Sequence, residues 1–591
     1  MTPSASAPTL RMPSIAVTVD GTELAKKWSS RLREMAVQRG VRTVGRATVD
    51  ISLENLSDLA SVPFGLHQKV SLKSSSTVLF QGRIASIEVR NDSRAGTVVH
   101  VVAHDDAAAL LRTSAVATAE NVTFTDIVKK LLQEAGATVG TIDQLSATSF
   151  PYVMTSDTAL GVIDEIATRT GADWIVRDGK FSMWDASGGT VAPEASVTLG
   201  ELSTFSLNQD AAALTSVTVR GWDSKNKQPA EGQATAATSR GPAVFSRAED
   251  AEVSRQVASM TVSDTEEAGA VAKALVGTAG RLLARGRGAL NPEIEPGAEL
   301  SLKEAGEEMT GTYYVREVEH RWTSTGSTTA FVAGDRDAPT LADPWSATRS
   351  TSLRHTGLYV GIVTQVGSEA EYAGMVRVKF PSLPGAKTDV QSGWARVVMT
   401  GAGNQRGLYW LPEVNDEVIV AFSDGDVRRP VVLGALHNGQ DAVPEFTDPA
   451  VNGSGKVAVR GLVSRLGHSF LLGDGDADAD QFVSLGLKGD TELLRLGKDR
   501  GDLKVPSGTP FTITVGSSKI DFDGNGGISI EGTTIVLKAT QKLELSAPEV
   551  SVKGSAKVEV TSSGQLAVKG SVTNVESSGP LALKGAVVAI N

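Results

Sequence analysis

At 591 residues the chain has room for about three to five domains. Its 41% hydrophobic and 21% charged residues suit a globular chain, and no apolar run approaches the roughly 20 residues of a spanning helix. Zero Cys excludes disulfides, thiolate metal sites and a thiol nucleophile, and a net charge of −11 argues against nucleic-acid binding through bulk positive charge. The start, Met1 to Pro8, lacks basic residues and an apolar stretch, so no secretory signal is expected. Sixty Gly and only 5% aromatics point to many turns and thin cores, hence a β-rich, multidomain protein.

The first 110 or so residues read mostly as strands, with β-branched runs such as Ala47–Ile51 and Thr97–Val102. Glu23–Gln38 fits a helix or a strand with a loop. Thr123–Asp126 has capping-box spacing ahead of Ile127, Val128, Leu131 and Leu132, with Gly136 as a stop. Ser156-Asp157 is expected to cap a second helix carrying Leu160, Ile163, Ile166 and Ala167 on one face and ending at Gly171. Asp178-Gly179 joins two strand-like runs as a hairpin turn. Strands return from about 195, interrupted by a helix after the capping box Ser263–Glu266. Arg281, Arg285 and Arg287 read as a basic cluster at that helix's end. Gly311–His320 is a strand, and Asp337–Ser352 the best linker.

Residues 355–440 hold five or so short strands with Gly turns, which suits a small barrel of the OB type. The last stretch differs. From Asp523 to Asn591 there is no aromatic residue, and small apolar pairs recur at Ile535/Leu537, Leu543/Leu545, Val550/Val552, Val558/Val560, Leu566/Val568 and Leu581/Leu583. Successive anchors lie 8, 7, 8, 8 and 15 residues apart, the last gap spanning one degenerate unit. A short fixed period with alternating apolar positions signals a β-solenoid. One turn of seven or eight residues is too short to enclose a core, so the simplest solution wraps three chains around a shared axis. A stacked solenoid of one chain is the competing reading.

This order of parts resembles the spike proteins of contractile injection machines: VgrG of type VI secretion, the hub and needle proteins of contractile phage tails, and the spikes of extracellular contractile particles. Three places carry the resemblance. Thr155–Gly171 is similar to the helix before a glycine-ended hairpin, and Gly311–Val315 with Val318–His320 resembles the strand closing the second hub barrel. Most specific is Leu411–Phe422 followed by Asp424–Pro430 and Gly434–Asn438, similar to the barrel segment P-x-x-x-x-E-V-x-V-x-F-x-x-G-D-x-x-R-P. The resemblance implies a mainly β fold with a few helices: a first hub barrel at 10–120, a helical and hairpin insert at 121–195, a second hub barrel at 196–340, an OB-fold at 355–440 and a triple-stranded β-helix needle at 453–591.

It also implies a homotrimeric central spike that joins tube to tip and punctures a target envelope. Its partners would be the inner tube and baseplate proteins at the hub, a PAAR-type tip protein and effector cargo at the needle end, and transiently the target membrane, with no nucleic acid. Assembly is expected in the cytoplasm, in a phage tail-like particle that in the extracellular type is released. The residues assigned to the needle core and trimer interface are Ile535, Leu543, Val550, Val558, Leu566 and Leu581. Val588, Ile590 and Asn591 are assigned to the contact with the tip protein.

No catalytic, metal or cofactor residue is assigned. His100 and His104 share a strand face but lie roughly 13 Å apart, too far for one metal, and His104-Asp105-Asp106 reads as a polar strand end. Asp521–Gly526 opens like a calcium loop, yet position 12 is Gly532 and the flanks are strands, so a hairpin turn is expected. The acidic run Asp474–Asp480 reads as a solvated turn. Gly401–Gly407 lacks the following helix of a dinucleotide loop and reads as a barrel loop. Two rivals stand beside the spike: a phage tail spike with cell-wall hydrolase activity, against which the short 439–455 linker speaks, and a receptor-binding tail protein, which would favour an aromatic-bearing head.

Overall fold

The computed structural model describes residues 15–92, 96–115, 117–145, 150–155, 158–187, 189–209, 214–224, 226–236, 240–242, 244–245, 253–258, 262, 264–277, 282–335, 357–382, 390–446, 449–488 and 491–590. The chain divides into two units, Met1–Ala442 and Val443–Asn591.

The first unit is built on one 13-stranded sheet. Its Arg46–Leu53 strand alternates strictly: Ala47, Val49, Ile51 and Leu53 are buried while the residues between them are more exposed. Two separate cores form on this sheet. One gathers Met35, Val37, Ile51, Leu72, Ile84 and Val101, the other Leu282, Ala284, Leu300, Tyr313, Val318 and Phe331. The halves expected as two hub barrels therefore have their own interiors but share backbone hydrogen bonding. The joint is the pairing of Leu32–Gly40 with Gly311–Thr323, in the register Glu317↔Gly40 to Thr323↔Glu34. The strand that the sequence marks as closing the second half thus also bridges to the first. Glu23–Gln38 resolves into the short helix Lys26–Ser29 followed by the Leu32–Gly40 strand.

The insert has its own core of two helices and a hairpin. The Phe124–Glu134 helix starts as expected, with Thr123 Oγ1 accepting from Asp126 N and Asp126 Oδ2 from Thr123 N. The Ala159–Thr170 helix is capped one residue later than expected: Thr158 Oγ1 accepts from Gly161 N at 3.1 Å. Ser156 and Asp157 lie outside the described residues, as do Ser263 and the 337–352 linker. Gly171 ends that helix at φ 71°, and Asp178 and Gly179, at φ 49° and 70°, make the hairpin turn. The Thr265–Gly277 helix begins with Asp264 Oδ1 accepting from Glu267 N. Arg285 and Arg287 are not at a helix end. They point outward from the Leu282–Ala289 strand, opposite Ser206 and Thr204, because the chain has already entered the sheet.

Residues 359–435 close a five-stranded barrel, ordered Tyr359–Val366, Met375–Lys379, Ala395–Val397, Pro430–Ala435 and Glu417–Phe422. Val363, Val376, Val378, Phe380, Val418, Val420 and Phe422 fill its interior. The chain is mainly β with few helices, and this barrel is the OB element.

The second unit opens with a five-stranded antiparallel meander from Val459 to Leu503 and continues as three strands from Phe511 to Glu531. The short repeat therefore starts only after Glu531. Among the described residues, 532–590 contain no strand, and every side chain there is exposed.

Candidate functional site

Two features of the structure demand a functional account. The first is a buried charged seam between the OB barrel and the rest of its unit. The turn Ser423–Gly425 leads into Asp426, Val427, Arg428 and Arg429, which lean onto the insert and the Thr265–Gly277 helix. Arg428 donates to Asp426 Oδ2 at 2.7 Å and to Glu267 Oε1 at 3.2 Å, and stands 5.5 Å from the Phe150 ring centre. Glu267 also lies 3.7 Å from Arg169, which is held by Glu165 at 2.9 Å. Burial opposes the charge on Arg428, but Asp426 and Glu267 outweigh it and raise its pKa; burial would raise Asp426, and Arg428 overrides that to hold it low. Beside this knot Arg429 donates to the Trp222 carbonyl, and Arg377 pairs with Glu120 at 2.6 Å while covering Trp394. OB barrels take ligands through their second and third strands and the loops after strands one and four. Here Arg377 of the second strand and the turn after the fourth are spent on other parts of the chain's first unit. The motif Gly425-Asp426…Arg429-Pro430 was visible in the sequence; its partner Glu267, some 160 residues away, carried no signal beyond its place in a helix cap.

The second feature is the apolar ladder of the tail. Ile535, Leu543, Val550, Val558, Leu566 and Leu581 are 51–59% exposed, a narrow band, whereas the second member of each pair is 63–75% exposed. In each pair the first residue is thus the less exposed of the two. From Val552 onward the corners between pairs alternate in kind. A Cβ on Gly554 would meet the Lys557 carbonyl oxygen at 2.6 Å and Val558 Cγ2 at 2.8 Å, so this corner needs glycine. The following corner is tied instead by Gly564 N donating to Ser562 Oγ, and the same bond returns at Gly579 and Ser577. Val588 is 52% exposed, in the band of the first residues, and Ile590 is 82% exposed. Asn591 lies outside the described residues. Among the described residues, every one of 532–590 is exposed.

Apolar side chains are also left open on the meander. Phe470, Leu472, Val483, Leu485 and Leu496 are 37–59% exposed, and the register sets Phe470 opposite Leu485 and Leu472 opposite Val483.

The polar candidates have structural employment. Asp105 accepts from Gly45 N and Ala107 N, and His100 pairs with Asp50 at 2.5 Å. Asp523 Oδ1 accepts from Asn525 N and Gly527 N, making the expected hairpin turn. In the acidic run, Asp474, Asp476 and Asp478 are not merely solvated: Arg460, Lys456 and Lys498 pair with them. Among the described residues, no group of three or more His, Asp or Glu is placed to hold a metal ion.

Comparison with known proteins agrees with this layout. A model of the type VI secretion system/phage-baseplate injector OB domain matches residues 359–437. The chain is 33% identical over 113 residues to the type VI secretion system spike protein VgrG5 of Pseudomonas aeruginosa, covering 18% of this chain and 14% of that protein. It is 34% identical over 89 residues to the spike protein VgrG3 of Vibrio cholerae, covering 14% and 9%. The matched segments therefore span only a small part of those relatives. A chain in the half-lidded structure of the Francisella PdpA–VgrG complex shares the fold at TM-score 0.50 and 8% identity, with 88% of both chains covered. These likenesses make the chain VgrG-like. The Alg8 N-terminal domain model matches residues 11–324, more than half of the sequence, and the chain belongs to that family.

Proposed function

We propose that the protein is the trimeric, non-enzymatic central spike and hub of a contractile injection apparatus, joining tube to tip and puncturing the target envelope. The observation that carries this reading is the tail ladder: a periodic series of small apolar pairs, each with its first member less exposed than its second, all left exposed among the described residues. Three copies wrapped around an axis would bury them. Removing the remaining half of each surface contributes about 1 kcal/mol per anchor. Partial likeness to proteins named as spikes and to the injector OB domain supports the same role.

In this reading the hub sheet meets inner tube and baseplate proteins. The needle end, with Val588, Ile590 and Asn591, meets a PAAR-type tip protein and effector cargo. Assembly takes place in the cytoplasm within a phage tail-like particle, and sheath contraction drives the needle into a membrane. The relative solved with PdpA supports the general idea of a spike that carries a protein partner.

The test is the mass of the native protein and of Val558→Asp. The wild-type chain should run as a trimer on native mass spectrometry, and three carboxylates forced together at one level should abolish or aggregate it. A solitary wild-type subunit, or an intact Val558→Asp trimer, overturns the reading.

A further inference from the structure

The interrupted unit of the ladder has a definite geometry. By hydrophobicity its anchor would be Val572. The corners say otherwise. A Cβ on Gly570 would meet the Val572 carbonyl oxygen at 2.9 Å and Thr573 Oγ1 at 3.3 Å. On Gly585 it would meet the Val587 carbonyl oxygen at 3.3 Å and Val588 Cγ2 at 3.8 Å, and on Gly554 the Lys557 carbonyl oxygen and Val558 Cγ2. Thr573 therefore stands where Val558 and Val588 stand, and Val572 where Lys557 and Val587 stand. Exposure agrees: Val572 and Val587 are 76% and 85% exposed, well outside the 51–59% band of the anchors. The serine-tied corner that follows Val558/Val560 also follows Thr573/Val575.

Resting on the trimeric-needle reading, we propose that Thr573 faces the shared axis and that three copies form a hydroxyl ring, the one polar level among the described anchors. The chemistry favours a closed ring. Each hydroxyl is one donor and an acceptor, so three converging copies satisfy one another. A neighbour presenting Val or Leu at that level leaves a hydroxyl desolvated and unpaired. A single polar level in an apolar seam is a device for fixing partner and register at some cost in stability. The ring is thus a specificity key: it admits a second and third copy of this same chain, aligned level with level, and discriminates against needle chains that are apolar there.

The experiment uses the full chain and four variants, read by native mass and by the temperature at which the trimer dissociates in detergent. Thr573→Asp should lose the trimer while Val572→Asp keeps it. Thr573→Ser should match the wild type, and Thr573→Val should dissociate at a higher temperature. Trimers mixed from wild-type and Thr573→Val chains carrying different mass tags should dissociate below both parents. Val572→Asp as damaging as Thr573→Asp overturns the axial placement. Mixed trimers with intermediate dissociation temperatures overturn the key. If the wild-type chain is itself not a trimer, the spike reading falls first, and the inference with it.

Discussion

Arg428 and Glu267, 161 positions apart in sequence, meet at 3.2 Å in a seam where Glu267 is buried and Arg428 largely so. Asp426, as buried as Glu267, completes the pairing with the same guanidinium. A buried ion network of this kind adds little net stability over an apolar replacement of the whole set, but it penalises the loss of one member severely.

Arg428→Met should therefore lower the stability of the first unit by about 3–5 kcal/mol, because buried Asp426 loses its guanidinium and Glu267 keeps the more distant Arg169. The measurement is the unfolding temperature, with amide exchange rising in 423–429 and 265–277. Adding Glu267→Gln to Arg428→Met should recover part of the loss, since the second change removes one stranded charge. An Arg428→Met protein as stable as the wild type would show that the seam is not held by charge.

Two buried groups of the same sheet give pH effects of opposite sign. Burial pushes Asp105 up to about 7, against the pull of its bonds from Gly45 N and Ala107 N and the charge of Arg39. A carboxyl raised above its unfolded value favours the protonated fold, so its contribution is full below about pH 4 and disappears as pH rises through 7. His320, beside Thr329 at 2.9 Å, is driven down to about 3 by burial and then by Arg39. Its contribution is full above about pH 6.5 and is lost as pH falls toward 3. In thermal unfolding across pH, Asp105→Asn should flatten the decline between about pH 4 and 7, and His320→Gln should flatten the loss between about pH 6.5 and 3. Unchanged slopes in both variants would contradict the burial of these groups.

The tail corners differ in tolerance. Gly554→Ala should weaken the tail, because the new Cβ collides with a carbonyl oxygen that cannot withdraw without moving the corner. Gly564→Ala should be nearly neutral, as nothing lies within 4 Å of its Cβ position. Comparing detergent resistance of the two variants checks this. Equal losses would mean that the corners are built alike.

Much of the architecture was legible in the residues themselves. Period-two alternation in Arg46–Leu53, the Thr123/Asp126 capping box and the Asp178-Gly179 turn each encode their own local geometry, since the interactions that fix them lie within a few positions. The barrel motif at 411–438 and the repeat after Glu531 were likewise local patterns. A hydrophobicity count, however, stopped at Thr573, because it weighs side chains and not the backbone corner that decides which way they point.

The amino-acid sequence by itself determined most element types of the first unit, the barrel and the tail's period, all of them products of short-range stereochemistry and burial pattern, whereas the strands expected in the tail are not seen among the described residues of 532–590. Only the tertiary structure decided that two hub halves share one sheet through Gly311–Thr323 and Leu32–Gly40, that Arg428 finds Glu267, and that Thr573 rather than Val572 takes the anchor's place. The last of these rests on a backbone corner three residues long, while the first two share one physical reason. Strand pairing and ion pairing between distant segments are settled by which surfaces the whole chain brings within hydrogen-bonding reach, and no local spacing records that.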